Sequence, residues 1–100
     1  MPKRVLLATK DLMFRAKLGA AVTGAGGDIV KDPAGCDLVV LDVESPGAVD
    51  RIRGLVASGT PVLAYGSHVL ADLLRAARDA GATAVPNSEV EGRLRAWVAG

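Results

Sequence analysis

Short apolar runs alternate along this chain with longer segments in which apolar residues recur at helical spacing, and this alternation constrains the fold most. The runs predict five strands, at residues 4–9, 28–31, 37–43, 61–65 and 82–85. A strand that is buried on both faces reads as a near-continuous apolar run, and such strands joined by helices form a parallel sheet covered on both sides. The pattern therefore predicts an α/β fold.

The segments between these strands predict four helices, at residues 10–23, 48–58, 69–80 and 89–98. In the third, Leu70, Leu73, Leu74 and Ala77 follow the spacing i, i+3, i+4, i+7 of one buried helix face. Each helix therefore has an apolar stripe that can pack on the sheet.

Three serines stand at predicted helix starts. Ser88 with Glu91 fits a capping box, in which the hydroxyl accepts a hydrogen bond from an N–H of the first turn and the carboxylate accepts one from the N–H of the cap residue itself. Ser45 and Ser67 are predicted to cap the second and third helices in the same way. We interpret these serines as capping residues rather than nucleophiles.

The connection between the second and third strands is only "DPAGC", residues 32–36. It is too short for a crossover helix, although five extended residues reach about 17 Å, enough to pass over one strand. With right-handed crossovers, the sequence predicts a flavodoxin-like, doubly wound sheet of strand order 2-1-3-4-5 whose helix between strands two and three is shortened or absent.

Length and composition restrict the class of protein. One hundred residues suit a single domain, residues 1–100, and a formal charge of +1 gives no sign of a nucleic-acid surface. The single cysteine, Cys36, has no partner for an internal disulfide, and no apolar run approaches the roughly 20 residues of a membrane span. We expect a cytoplasmic protein that binds neither nucleic acid nor membrane.

Most residues that follow the predicted strands are polar. In a sheet of this order, ligands bind at the carboxyl ends of the strands, near the reversal of strand order. These candidate binding residues are Thr9, Lys10, Asp11, Asp42, Glu44, Gly66, Ser67, His68, Asn87 and Ser88. His68, the only histidine, is interpreted either as a functional group, a proton shuttle or a phospho-acceptor, or as a solvated or loop-packing residue.

Three segments carry a family resemblance over the whole chain: "DLVVLDVESPG", which contains Asp42, "TPVLAYGSH", and "AARDAGATAVPNS". They resemble the receiver domain of bacterial two-component response regulators, the chemotaxis-receiver fold. The resemblance implies that Asp42 is the phospho-acceptor position. It also implies two Mg²⁺-binding acids after the first strand, a Ser or Thr after the fourth, and a Lys-Pro pair after the fifth.

The sequence departs from that pattern at each of the other positions. The acid pair aligns with Thr9 and Lys10, the hydroxyl position with Gly66, and the Lys-Pro pair with Asn87 and Ser88. Mg²⁺ requires hard oxygen ligands, and phosphoryl transfer relies on that cation. A lysine in place of a carboxylate removes a ligand and adds positive charge.

We therefore expect no metal and no cofactor, with Asp11, Asp42 and Glu44 as the carboxylates that could still bind a cation. We hypothesise that the Lys10 ammonium instead forms an ion pair with Asp42. Mg²⁺ enters only under the alternative that Asp42 accepts phosphate.

The sequence thus favours a stand-alone, degenerate receiver, a pseudo-receiver that signals by binding a protein partner or itself and is not an enzyme. The expected interface is the face formed by the last two helices and the strand between them, where Trp97 is either a core residue or a dimer anchor. Two alternatives stay open: a phospho-accepting regulator that uses Asp42, and a small-molecule-binding domain or enzyme that uses Asp42, Ser67, His68 and Asn87.

Overall fold

The computed structural model describes residues 2–100 and has a five-stranded parallel sheet. The strands are β1 (Arg4–Ala8), β2 (Asp28–Val30), β3 (Leu38–Asp42), β4 (Val62–Gly66) and β5 (Thr83–Pro86). Their spatial order is β2-β1-β3-β4-β5, which confirms the predicted topology. The reversal of strand order lies between β1 and β3, as the right-handed crossover rule requires.

Four helices connect the strands: α1 (Leu12–Gly24), α2 (Ala48–Ala57), α3 (Ala71–Asp79) and α4 (Asn87–Ala99). Between β2 and β3 there is only a single 3-10 turn, Pro33–Gly35, which agrees with the predicted short crossover. The Asp32 side chain accepts a hydrogen bond from the Ala34 N–H at 2.9 Å and so begins this turn.

Two hydrophobic clusters lie on the two faces of the sheet. The first joins strand residues to α1 and α4, and includes Leu18 and Leu94, both fully buried. The second joins the opposite face to α2 and α3, and includes Ile52 and Ala77. Since β3 is central, its apolar residues alternate between both clusters, and burial of each such side chain contributes about 1.5–3 kcal/mol.

The start of α1 is fixed by a side chain that the sequence pattern had placed inside the helix. Asp11 is the N-cap residue, and its Oδ1 accepts from the N–H groups of Met13 at 2.9 Å and Phe14 at 3.2 Å. The helix therefore begins at Leu12, two residues after the predicted start. Lys10 is consequently in the loop between β1 and α1.

The three predicted serine caps are wrong. The chain passes from β5 directly into α4, so the N-cap residue is Pro86, which has no capping hydroxyl. Ser88 lies inside the first turn of the helix. The residue before α2 is Gly47 and not Ser45. Its φ of 71° is a left-handed conformation, which glycine adopts readily. Leu70 precedes α3, while Ser67 accepts from the Val69 N–H at 3.4 Å within the loop.

None of the helices in residues 2–100 combines the length and the apolar character that crossing a membrane would need.

Candidate functional site

Asp42 ends β3 at the centre of the sheet and is partly exposed. Its Oδ1 accepts a hydrogen bond of 2.9 Å from the Glu44 N–H, and its carbonyl accepts from both the N–H and the hydroxyl of Ser45. This is an Asx turn, which bends the chain away from the strand. The carboxylate thus shapes the loop with one oxygen, and the other has no hydrogen bond within residues 2–100.

A buried hydrogen bond occupies the place where the resemblance implies the first acid of the pair. Thr9 follows β1 and is 6% exposed, and its Oγ1 accepts from the Tyr65 hydroxyl at 2.6 Å. The same oxygen accepts from the Asp11 N–H at 3.3 Å. The Tyr65 ring packs on Phe14 with centroids 5.0 Å apart. Both hydroxyls are therefore used internally.

Tyr65 is not among the candidate site residues that the sequence predicts. A lone tyrosine in an otherwise aliphatic buried strand was the available signal, because a buried phenol needs a hydrogen-bond partner. Burial raises the pKa of Tyr65, and the nearby charges of Asp42 and Asp11 raise it further, while the hydrogen bond to Thr9 opposes them. The phenol is accordingly held in its neutral form.

Lys10 does not form the hypothesised ion pair with Asp42. The ion pairs of residues 2–100 join Lys or Arg side chains to other carboxylates, and Lys10 is in none of them. Lys10 is exposed in the loop after β1, where hydration competes with a carboxylate and an ion pair contributes little. Lys10 and Asp42 nevertheless line the same cavity.

That cavity, of about 470 Å³, opens at the ends of β1 and β3. Of the candidate residues, it brings together Thr9, Lys10, Asp42 and Glu44. Its wall does not include the remaining candidates, which are Asp11, Gly66, Ser67, His68, Asn87 and Ser88.

The structure adds Arg15 and Arg51 to the cavity wall. Each is the fourth residue of a helix, α1 and α2 respectively. The first turns of helices that follow parallel strands lie at the carboxyl ends of the sheet, so basic residues at these positions were the signal in the sequence.

Gly66 ends β4 and is buried. A Cβ at this position would lie 2.5 Å from Val43 Cγ2, closer than packed carbon atoms approach. The neighbouring loop residues are a partly exposed Ser67 and an exposed His68. Glycine is therefore required by packing here, and a hydroxyl-bearing side chain has no room.

Strand β5 extends one residue beyond its predicted end, to Pro86, which pairs with Gly66. Asn87 and Ser88, which were aligned with the Lys-Pro pair, lie instead in the first turn of α4. The strand-end position beside Gly66 is thus a proline, whose side chain has neither a charge nor a hydrogen-bond donor.

The residues at the strand ends do not fit the Mg²⁺ site that the resemblance implies. Asp11 caps α1, Thr9 is hydrogen-bonded to Tyr65, and Lys10 adds a positive charge. Over residues 2–100 no three His, Cys, Asp or Glu side chains form a group that could hold a metal ion. Mg²⁺ requires an octahedral set of oxygens, which this donor set does not supply.

No protein-family model matches the chain, and no curated protein matches it. Several solved structures, in contrast, align with most of the chain. A response regulator from Thermotoga maritima aligns over 98% of this chain and 95% of its own, with a TM-score of 0.77 and 18% identity. The chemotaxis protein CheY4 of Vibrio cholerae aligns over 98% and 99%, with a TM-score of 0.75 and 16% identity.

NtrX from Brucella abortus aligns over 94% of this chain with a TM-score of 0.77 and 15% identity, but the aligned region is only 25% of NtrX. This chain therefore spans about a quarter of that protein. Identities this low establish architecture rather than activity. The chain has the fold of response-regulator receiver domains, and the residues at its strand ends differ from the receiver pattern at the positions described above.

Proposed function

We propose that this chain is a receiver-like signalling domain that works without Mg²⁺-dependent phosphorylation of Asp42. The observation that carries the proposal is the buried hydrogen bond between Tyr65 and Thr9, which takes the place of the first metal-binding acid. The exposed ammonium of Lys10 follows it in the place of the second.

The remaining positions support the same proposal. Phosphoryl transfer depends on cations and hydrogen-bond donors placed around the transferred group. Gly66 has no hydroxyl and no space for one, and Pro86 contributes no ammonium. Asp42 would have to react without these stabilising groups.

In place of phosphorylation, we propose control by a bound partner. The proposed contact surface is the face formed by α3, β5 and α4, which binds either another protein or a second copy of this chain. Within this face, Trp97 and Arg93 of α4 and Thr83 of β5 line a cavity of about 250 Å³. An aromatic ring and an unpaired guanidinium are residue types enriched in interfaces, which supports this choice.

The test is incubation with acetyl phosphate and, separately, with beryllofluoride, each with Mg²⁺, alongside a conventional receiver domain as positive control. Intact mass and NMR chemical shifts are expected to change for the control and not for this chain. Stoichiometric addition of one phosphoryl group that is abolished by Asp42→Asn would overturn the proposal.

The interface is tested separately by light scattering and by cross-linking of the wild type and of Arg93→Glu. We expect any self-association to be weakened by this charge reversal. The matched variant Arg53→Glu, on α2 and outside this face, should leave it unchanged. Equal effects of both reversals would point to net charge instead of this surface.

A further inference from the structure

Five of the twelve lysine and arginine side chains have no ion pair, hydrogen bond or aromatic contact within residues 2–100. These side chains are Lys10, Arg15, Lys31, Arg51 and Arg93. All but Arg93 line two adjoining cavities beside β1, and Arg15 contributes to both. Like charges that are close together repel, so this grouping favours an anion between them.

The cavity of about 470 Å³ has three of these basic side chains in its wall, whereas the other has two. Small-molecule sites commonly measure roughly 300–1,000 Å³. Lys10, Arg15 and Arg51 reach its wall from three different elements: the loop after β1, the first turn of α1 and the first turn of α2. A ligand in this cavity would therefore meet positive charge from several directions.

The chemistry of these side chains selects a phosphate group. A guanidinium is planar and donates paired hydrogen bonds that match phosphate oxygens, and an ammonium contributes a compact charge. Two guanidinium groups and one ammonium suit a dianion better than the single charge of a carboxylate.

The same cavity also has acceptors, namely the carboxylates of Asp42 and Glu44. A bare phosphate ion would be repelled by them. A ligand that carries hydroxyl groups in addition to its phosphate would donate hydrogen bonds to these carboxylates, while its phosphate accepts hydrogen bonds from the basic side chains.

We propose that this cavity binds a small hydroxylated phosphate ester, such as a sugar phosphate, without forming a covalent bond. The phosphate contacts Lys10, Arg15 and Arg51, and the hydroxyls contact Asp42 and Glu44. The inference rests on the proposed function, because the cavity is available for a regulatory ligand only if Asp42 is not the site of phosphoryl transfer.

The experiment is isothermal titration of the chain, without Mg²⁺, with ribose 5-phosphate, inorganic phosphate and ribose. Ribose 5-phosphate is expected to bind at one site about tenfold more tightly than inorganic phosphate, and ribose alone is expected not to bind. Arg15→Gln and Arg51→Gln should each weaken ribose 5-phosphate by about tenfold or more.

Arg53→Gln is the matched control. Arg53 lies on the same helix as Arg51, but it is paired with Asp50 and does not line this cavity. Glu44→Gln should weaken ribose 5-phosphate and leave inorganic phosphate unchanged or tighter. All four substituted positions are exposed, so thermal unfolding should show that each variant folds.

Absence of saturable heat with millimolar ribose 5-phosphate would overturn the inference, as would equal weakening by Arg53→Gln and Arg51→Gln. Failure of the proposed function is read independently, because it appears as a covalent mass increase with acetyl phosphate. Ribose 5-phosphate is a phosphate ester of low transfer potential, so its binding leaves the mass unchanged.

Discussion

The hydroxyl of Tyr65 in β4 donates a hydrogen bond of 2.6 Å to Thr9 Oγ1, beyond the end of β1, and the contact therefore spans the intervening strand β3. Both residues are almost fully buried. This contact joins the ends of β1 and β4 across β3, at the carboxyl end of the sheet, where the receiver pattern would place a metal-binding acid.

Removal of either partner of this hydrogen bond is expected to destabilise the fold unequally. Tyr65→Phe should lower the free energy of unfolding by about 1 kcal/mol, whereas Thr9→Val leaves a buried phenol unsatisfied and should cost about 1–3 kcal/mol. Urea denaturation of both variants and of the double variant measures the coupling. If the two effects simply add, the hydrogen bond does not contribute to stability.

The raised pKa of Tyr65 predicts a loss of stability at high pH. Burial foremost holds the folded pKa above the ordinary value of 10.0, so the unfolded chain loses its proton first. The free energy of unfolding should be unaffected by this group below about pH 10 and should fall as the pH rises towards the folded pKa. Tyr65 is the only tyrosine, so phenolate absorbance reports its titration directly.

Cys36 contributes in the same direction, since burial foremost raises its pKa above 9.0. The titration of Tyr65 is therefore best measured in a Cys36→Ala background, with Tyr65→Phe as the control. A folded-state absorbance midpoint at or below that of the urea-unfolded chain would contradict the prediction.

Replacement of Gly66 by a residue with a hydroxyl group, as the receiver pattern has at this position, is expected to lower the stability of the fold. Gly66→Ser places a Cβ 2.5 Å from Val43 Cγ2 and should cost about 1–3 kcal/mol of stability through overpacking. Val43→Ala should recover part of that loss in the double variant. Thermal unfolding of the four proteins measures the effect, and a wild-type melting temperature for Gly66→Ser would rule out the steric argument.

Gly92 lies inside α4, and a Cβ there would meet no atom within 4 Å. Gly92→Ala should therefore raise the free energy of unfolding by roughly 0.5–1 kcal/mol, because glycine is a poor helix former. Gly27→Ala is the contrasting variant, since its Cβ would lie 2.8 Å from Val98 Cγ1 and should destabilise. A loss of stability in Gly92→Ala would show that α4 is constrained in a way that its packing does not reveal.

Lys10→Asp is expected to raise the affinity for Mg²⁺ above that of the wild-type chain, because it replaces a cation by a carboxylate in the wall of the cavity that contains Asp42. The measurement is the rise in melting temperature with added Mg²⁺, which reports binding to the folded state. Arg53→Asp makes the same change of charge outside this cavity and should show no such rise. Equal Mg²⁺ effects in both variants would indicate general screening of charge.

The topology was predictable because each strand is an apolar run and each helix has an apolar stripe, so burial alone identifies them. Helix starts were not predictable to the residue. The N-cap of α4 is Pro86 and that of α3 is Leu70, and neither residue type signals a helix start through its side chain. These starts follow from where the strands end, which depends on the register of the whole sheet.

The candidate site was predictable where the strand ends determine it and not elsewhere. Asp42, Thr9 and Lys10 follow β3 and β1 directly, and their location is a consequence of the strand order. Arg15 and Arg51 stand in the first turns of α1 and α2, which places them near the strand ends, but the period of a helix does not say which cavity a cation borders. The contact between Tyr65 and Thr9 crosses a strand and depends on register.

The 3-10 turn Pro33–Gly35 also affects how well the edge of the sheet at β2 is covered. This edge strand has only three residues. A full helix would cover this edge, but here Val30 and Cys36 are only partly buried and lie at the margin of the second cluster. Cooperative opening of a native protein begins where apolar cover is thin. The amide hydrogens of β2 should therefore exchange with solvent through local fluctuations, long before those of β3, whose release requires the whole chain to unfold.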